Sequence, residues 1–465
     1  MHIVLWDTKA NDVQKDYAGG MGTGLYRGRG GLGDWLVGRG YHRDHRPVAL
    51  NFAYLAGIFK QSGHTVEYVS DQMPPTAELI IFNPALMTLG LEHQTMQKIL
   101  EQQPDARILV TGPVAYALPE AFVDLDVKVV RGEAEMLFWK LEDVLADENQ
   151  VVSVGTVKDL DSLPWPDWSV FDYRSFRIKY DFWKFPTALV QLSRGCTFTC
   201  NYCPYNMMEN KTRLCNPESV IAEIRHGAEH YGFRSFKFRD PLFGLDRKRA
   251  LQIADLISQL PYKIQFSIES RIDLMREETL IRLRGAGLTS ITVGIETPDE
   301  ETLRRYKRAP IKDDRQRDFV RFCRDLGIRT VAGFMVGFPE DTEESILGVL
   351  AYARKVNPTY ANFNIVTPYP GTEFFTQVKD QIEDFDFSHY SVYEPILKYK
   401  YLTATQVREL HARCMRKFYF RSRYFVDNGH LLWPVLQRFS SRRHKQVQLA
   451  AEKIEKIAET LHRAA

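Results

Sequence analysis

Two long blocks of this chain alternate short apolar runs with amphipathic stretches, and that alternation constrains its fold more than any other feature. In the first block, apolar runs at 2–6, 65–69, 79–82, 107–111 and 127–130 are bounded by Gly or Pro, with helical stretches at 48–60, 92–101 and 135–145. Short apolar runs without polar alternation suit strands buried on both faces, the condition of a parallel sheet. The expectation is a doubly wound α/β domain over 1–150, its ligand beyond the carboxyl ends of the strands. In the second block, runs near 187–192, 235–238, 263–268, 290–293, 330–336 and 360–366 alternate with helices. One of those helices opens sharply, with Asn216 as its cap, Pro217 at its first position and Glu218 behind. Six strand–helix pairs, not eight, predict a partial (β/α)6 barrel over 185–395, with its chemistry on the loops after the strands.

Between the blocks, 151–184 reads as a linker, because its Pro- and Trp-rich stretch at 163–168 suits neither a regular helix nor a central strand. Residues 396–465 read as a helical region, rich in Arg and aromatics around 416–424 and ending in a long stretch at 445–463. That last stretch reads as a solvated helix packed on the barrel, in preference to a membrane-surface helix.

Composition narrows the class. With 465 residues, 44% of them hydrophobic, the chain can build two or three cores. Its 61 Lys and Arg nearly balance 59 Asp and Glu, so it lacks the basic excess of a nucleic-acid binder. No apolar run approaches the roughly 20 residues that span a bilayer, so no transmembrane segment is expected. Residues 2–6 already read as a strand, so no signal peptide is expected. Six cysteines in so long a chain do not make a secreted disulfide scaffold, and a reducing, cytoplasmic location is predicted.

Cys196, Cys200 and Cys203 form Cys-x-x-x-Cys-x-x-Cys directly after an apolar run. Three thiolates on one tight loop can hold three irons of a 4Fe–4S cluster and leave the fourth iron open to a small molecule. A zinc loop would need a fourth ligand, and the distant second Cys pair usual for zinc is absent. Cys215, Cys323 and Cys414 are scattered and read as small buried side chains.

The stretch from Ser193 to Cys203 resembles the radical S-adenosylmethionine (SAM) enzymes, and the resemblance extends across 187–373. It implies that the open iron chelates SAM and that the cluster's electron splits SAM to a 5′-deoxyadenosyl radical. Tyr202 holds the aromatic position where the family packs SAM's adenine; ordinary core packing is the other reading. Asp240 follows the second barrel strand, near the family's contact to SAM's amino group, or is a plain turn aspartate. Arg271 ends the third strand, where its planar fork suits a carboxylate of SAM or substrate; a surface salt bridge is the alternative. Gly294, Ile295 and Glu296 resemble the family's "GIE" element, whose carboxylate takes hydrogen bonds from SAM's ribose or ammonium. Gly333, Gly337 and Pro339 end the fifth strand, where small residues would admit an adenosyl group. The Pro368–Thr372 segment matches a further family element.

The first domain resembles the cobalamin-binding subfamily and is thereby Rossmann-like in expectation. Gly112 stands at the subfamily's first turn; Gly132 and Glu133 stand at its second, "RGEGE", with Ala134 in place of the usual glycine. The helix at 47–63 with His64 resembles another subfamily element. Small residues at 112 and 132 would let a corrin lie across the strand ends; tight turns in a degenerate domain are the alternative. No Asp-x-His-x-x-Gly occurs, so no histidine ligand to cobalt is expected. The Gly-rich segment 19–31 is expected to form a flexible lid over the active site, with plain disorder as the alternative; Arg27, Arg29 and Arg39 read as solvated arginines in preference to ligands of a phosphate or carboxylate. No P-loop lysine follows the segment.

The resemblance implies an enzyme holding a 4Fe–4S cluster, SAM and cobalamin, and methylating an unactivated carbon of a small or lipid-like metabolite. A flavodoxin- or ferredoxin-like protein would supply the electron. Anaerobic oxidation, cyclisation or rearrangement is the second reading, and a non-catalytic cluster-bearing regulatory protein the third.

Overall fold

The computed structural model describes residues 1–10, 13–28 and 47–428. The first sheet has six parallel strands: β1 (His2–Asp7), β2 (Thr65–Ser70), β3 (Leu79–Phe82), β4 (Arg107–Val110), β5 (Lys128–Gly132) and β6 (Val151–Gly155). Their order is β2-β1-β3-β4-β5-β6. The chain runs outward in one direction from β1 to β2 and in the other from β3 onward. Strand order therefore reverses beside β1 and β3, where a crevice opens at the carboxyl ends of a doubly wound sheet. Every side chain of β3 is fully shielded from solvent, as expected for a parallel strand covered on both faces.

β6 extends this domain past the expected boundary at 150. Ser153 interrupts its valines, so the strand lacks the unbroken apolar run of a buried one, and Val151, Ser153 and Gly155 are exposed. As an edge strand it is held by backbone pairing to β5, from Val129 against Val151 to Gly132 against Gly155.

The segment from there to the barrel is packed rather than loose. Trp168 is buried, with its ring edge-on to Phe171, Phe176 and Phe233 at 5.8–6.2 Å. Burying an aromatic of this size contributes about 2–3 kcal/mol. Farther on, Asp181 enters the barrel and accepts from the buried Lys237 ammonium at 2.8 Å.

The second sheet is also parallel: β7 (Thr187–Val190), β10 (Ser235–Phe238), β11 (Gln265–Ser270), β12 (Leu288–Glu296), β13 (Arg329–Val336) and β14 (Tyr360–Ile365). Its strands lie in chain order from β7 to β14, and those two strands are its edges. This is the partial (β/α)6 barrel, each strand followed by a helix that returns to the next. The helix Pro217–His230 starts where Asn216 and Pro217 predict, but the Asn216 side chain does not cap it. Asn216 instead bonds Asp161 of the connecting segment through its backbone N–H and its amide. Between β7 and β10, a short antiparallel ribbon pairs β8 (Ser193–Arg194) with β9 (Arg213–Leu214).

Beyond the barrel lies the helix Ala404–Tyr419. Residues from Arg416 on form a separate unit that includes the helix Ser422–Asn428. The stretch 445–463 lies outside the described residues, as do Arg29, Arg39 and the end of the Gly-rich segment. Among the described residues, no helix is long and apolar enough to cross a membrane.

Candidate active site

The β8–β9 ribbon closes the loop that carries Cys196, Cys200 and Cys203. Gly195 opens that loop with φ of +78°, and a Cβ there would lie 2.2 Å from the Lys211 carbonyl. Only glycine allows both the left-handed backbone and that approach. The backbone N–H of Phe198 donates to the Cys196 sulfur, and that of Tyr205 to the Cys203 sulfur. Burial raises both thiols, Cys203 up to about 12. Cys196 and Cys200 are buried and Cys203 is partly so. Among the described residues, no three His, Cys, Asp or Glu side chains stand ready to hold a single metal ion.

Asp240, after β10, is buried. Its carboxylate accepts from the Leu192 N–H at 3.2 Å and from the Ser193 hydroxyl. Burial pushes its carboxyl up to about 6. The side chain therefore tethers the entry to the cysteine loop.

Across the loop, β12 ends in an irregular turn where pairing with β13 shifts between Gly294 and Glu296. Glu296 has φ of +69°, a strained conformation for a non-glycine residue and of the kind that clusters at functional sites. Its carboxylate meets Arg308 at 3.1 Å, and Arg308 also donates to the Gly294 carbonyl at 2.6 Å. Arg308 lies 4.0 Å from the Cys200 sulfur, so this pair joins the cysteine loop to the end of β12. Arg271 stacks 4.4 Å over Phe198, inside the cysteine loop, and pairs with Asp273 at 2.9 Å. Its Nη1 is buried without a partner, as are the Tyr202 hydroxyl and the Asn201 Oδ1. Three unsatisfied polar atoms beside three thiols fit a site built around a polar ligand.

Gly333 pairs with Gly294 in the sheet, so it borders this site. Gly337 and Pro339 serve the fold around them. The Gly337 N–H donates to Asp341 at 2.7 Å, a Cβ on Gly337 would press on Ile365 at 3.0 Å, and Pro339 accepts from the Lys400 N–H.

A cavity lies between the carboxyl ends of the first sheet and the cysteine loop. Asn83, Gly112 and Gly132 wall it on one side and Arg194, Tyr205 and Arg239 on the other. The Asn83 Oδ1 is buried without a partner. A Cβ on Gly112 would lie 1.8 Å from that oxygen, and one on Gly132 would lie 2.4 Å from the Gly155 carbonyl. Both glycines are thus required by the protein's own packing as well as by the shape of the cavity. An open crevice with an unsatisfied amide oxygen at the strand ends fits a flat, polar-edged group such as a corrin.

Glu133 also lines the cavity, but its carboxylate is engaged. It meets the Arg213 guanidinium at 2.6 and 2.9 Å and accepts from the Val157 N–H at 2.8 Å. The described part of the Gly-rich segment, 19–28, is wedged between the two sheets' loops at Gly19 and Gly20 rather than lying over them as a lid. A Cβ on Gly19 would lie 2.9 Å from the Pro204 backbone, next to Cys203, and one on Gly20 would lie 2.6 Å from Pro113 at the first sheet. Lys15, at its start, is buried between Asp7 at 2.7 Å and Glu92 at 2.8 Å, beneath the Asn83 carbonyl. Lys15 and Arg213 have no individual signal in the sequence, since a solvated lysine or arginine is spelled the same way; Arg194 and Arg308 lie within or beside the motifs, which do not reveal their partners.

Residues 190–353 match the family model for the radical SAM superfamily. The chain is 28% identical over 370 residues to the anaerobic magnesium-protoporphyrin IX monomethyl ester cyclase of Cereibacter sphaeroides, covering 77% of this chain and 59% of that protein. It is 25% identical over 445 residues to the hopanoid C-3 methylase of Methylococcus capsulatus, covering 86% and 85% of the two chains. Among solved structures, the cobalamin-dependent SAM radical enzyme OxsB superposes with a TM-score of 0.63 at 15% identity. That superposition covers 88% of this chain and 65% of OxsB and is a likeness of fold. The chain spans less than two thirds of the length of the Cereibacter cyclase.

Proposed function

We propose that the chain, whose residues 190–353 match the radical SAM superfamily, is a cobalamin-dependent radical SAM enzyme that methylates an unactivated carbon of a small or lipid-like metabolite. One observation carries this reading. A single cavity is bounded by the cysteine loop on one side and by the carboxyl ends of a doubly wound sheet on the other. When bound, the reduced 4Fe–4S cluster supplies the electron that splits SAM, and the corrin supplies the methyl group. Cys196, Cys200 and Cys203 would hold the cluster. Arg271, through its unpartnered Nη1, would pair with SAM's carboxylate; Tyr202 would pack its adenine; Glu296 would accept from its ribose or ammonium. Gly333 would border the adenosyl group. Asn83, Gly112 and Gly132 would wall the corrin. Asp240 holds the cysteine loop in place. Radical chemistry requires that water be kept from the space between the cofactors, and Gly19 and Gly20 of the Gly-rich segment border that space. A flavodoxin- or ferredoxin-like protein in the cytoplasm would deliver the electron, and a second SAM would replace the methyl group consumed.

The likeness to the Cereibacter cyclase favours one further reading, in which the same radical chemistry ends in oxidation and ring closure. Both readings require reductive SAM cleavage. Anaerobically reconstituted protein incubated with dithionite and SAM is expected to release 5′-deoxyadenosine and methionine. A fully iron-loaded protein that releases neither would refute both. With the substrate in hand, SAM carrying a deuterated methyl group separates them, because only methylation puts the label in the product.

A further inference from the structure

Two acidic side chains from the turn after β5 reach across the domain boundary to two arginines on the β8–β9 ribbon. Glu135 accepts from Arg194 Nη2 at 2.8 Å, and Glu133 takes Arg213 in a fork at 2.6 and 2.9 Å. Arg194 Nη1 also lies 3.5 Å from Glu133. All four side chains are nearly buried, between 7% and 11% exposed, and their charges balance. Arg194 stacks 5.3 Å over Tyr54, and Arg213 also donates to the Val157 carbonyl, so neither guanidinium is free to swing. Arg213 and Glu133 meet in the geometry only a planar fork allows.

The position of this cluster gives it its meaning. Only Gly195 separates Arg194 from Cys196, and the ribbon is the base of the loop that holds all three cysteines. The acidic turn starts at Gly132, which walls the cavity on the other side. Removing one partner of a buried pair is costly, while intact pairs contribute little to net stability and more to fixing a unique arrangement.

We propose that Glu133 and Glu135 are positioning residues that clamp the cysteine-loop ribbon to the cavity wall and so fix the separation of the two cofactor sites. The clamp rests on the reading above for what the two sites hold. Glu133 acts here on Arg213, its carboxylate being filled by protein partners. Because displacements near 1 Å at a reacting centre can cost about a hundredfold in rate, such a clamp sets how efficiently a radical made on one side meets a group held on the other.

The test uses full-length Glu133→Gln, Glu135→Gln and Arg213→Gln proteins and the Glu133→Gln/Arg213→Gln double variant. Hydrogen exchange followed by mass spectrometry should show at least tenfold faster amide exchange in peptides covering 193–214, with β11 to β14 unchanged. The double variant should be no worse than either single one. Glu135→Gln releases only Arg194 and keeps the test available if Glu133→Gln fails to fold. In reconstituted protein, iron and sulfide content should be retained, while pulsed electron paramagnetic resonance between the reduced cluster and cob(II)alamin should change from one distance to a broad spread. Unchanged exchange in both glutamate variants, or an increase spread over the whole chain, would overturn the clamp. So would an unaltered distance distribution. If the wild-type protein retains no cobalamin, the functional reading fails on that point, and the exchange data still decide the clamp.

Discussion

Glu296 holds Arg308 at 3.1 Å from a backbone at φ of +69°, while the same arginine reaches the Gly294 carbonyl and the Cys200 sulfur. One guanidinium thus connects the strained end of β12 to the cysteine loop. Burial lifts the Glu296 carboxyl above its ordinary range, and Arg308 opposes that shift. Arg308→Gln would leave the carboxylate buried and unpaired. The expected loss is about 3 kcal/mol, read as a lower urea midpoint with an unchanged slope. 5′-Deoxyadenosine release should fall with it, and a variant of wild-type stability and activity would show that the pair has no such role.

The three cysteines are expected to act as one unit. Changing all three to Ala should remove about one cluster's worth of iron and sulfide per chain, with far-ultraviolet circular dichroism unchanged. Full retention of iron by that variant would end the assignment of the cluster to this loop.

Gly195→Ala tests the loop without touching a thiol. The new Cβ would meet the Lys211 carbonyl in a left-handed backbone, so the loop entry has to move, at a cost of about 1–3 kcal/mol. Reconstitution should give less than half the wild-type iron, although every ligand is present. Wild-type loading would mean that the loop tolerates the shift.

Asp240 gives a pH signature. Its folded carboxyl is raised by burial to about 6, against about 3.9 in an unfolded chain. The native state therefore holds this proton more tightly. Its contribution to stability is largest below the unfolded value and is lost as pH rises through about 6, by at most about 3 kcal/mol. Asp240→Asn removes this titration. The stability difference, wild type minus variant, should therefore fall between pH 4 and pH 7. Parallel pH profiles for the two proteins would contradict the raised carboxyl.

Local properties were enough to reveal most of the architecture. An apolar run such as 79–82 is buried whatever its partners, so β3 and its counterparts, the doubly wound sheet and the six-stranded barrel were all legible from sequence. Cysteine spacing is equally local, since it sets which thiols can share a loop. Three things depended on the tertiary structure. β6 belongs to the first sheet through backbone pairing, which leaves no mark on its exposed side chains. The start of the Gly-rich segment is wedged because Pro113 and Pro204, far apart in sequence, close on Gly20 and Gly19. Arg194 finds Glu135 across 59 positions and Arg213 finds Glu133 across 80. An arginine or glutamate reads the same whether water or a buried counter-charge surrounds it, and only the folded topology decides which of the two it meets.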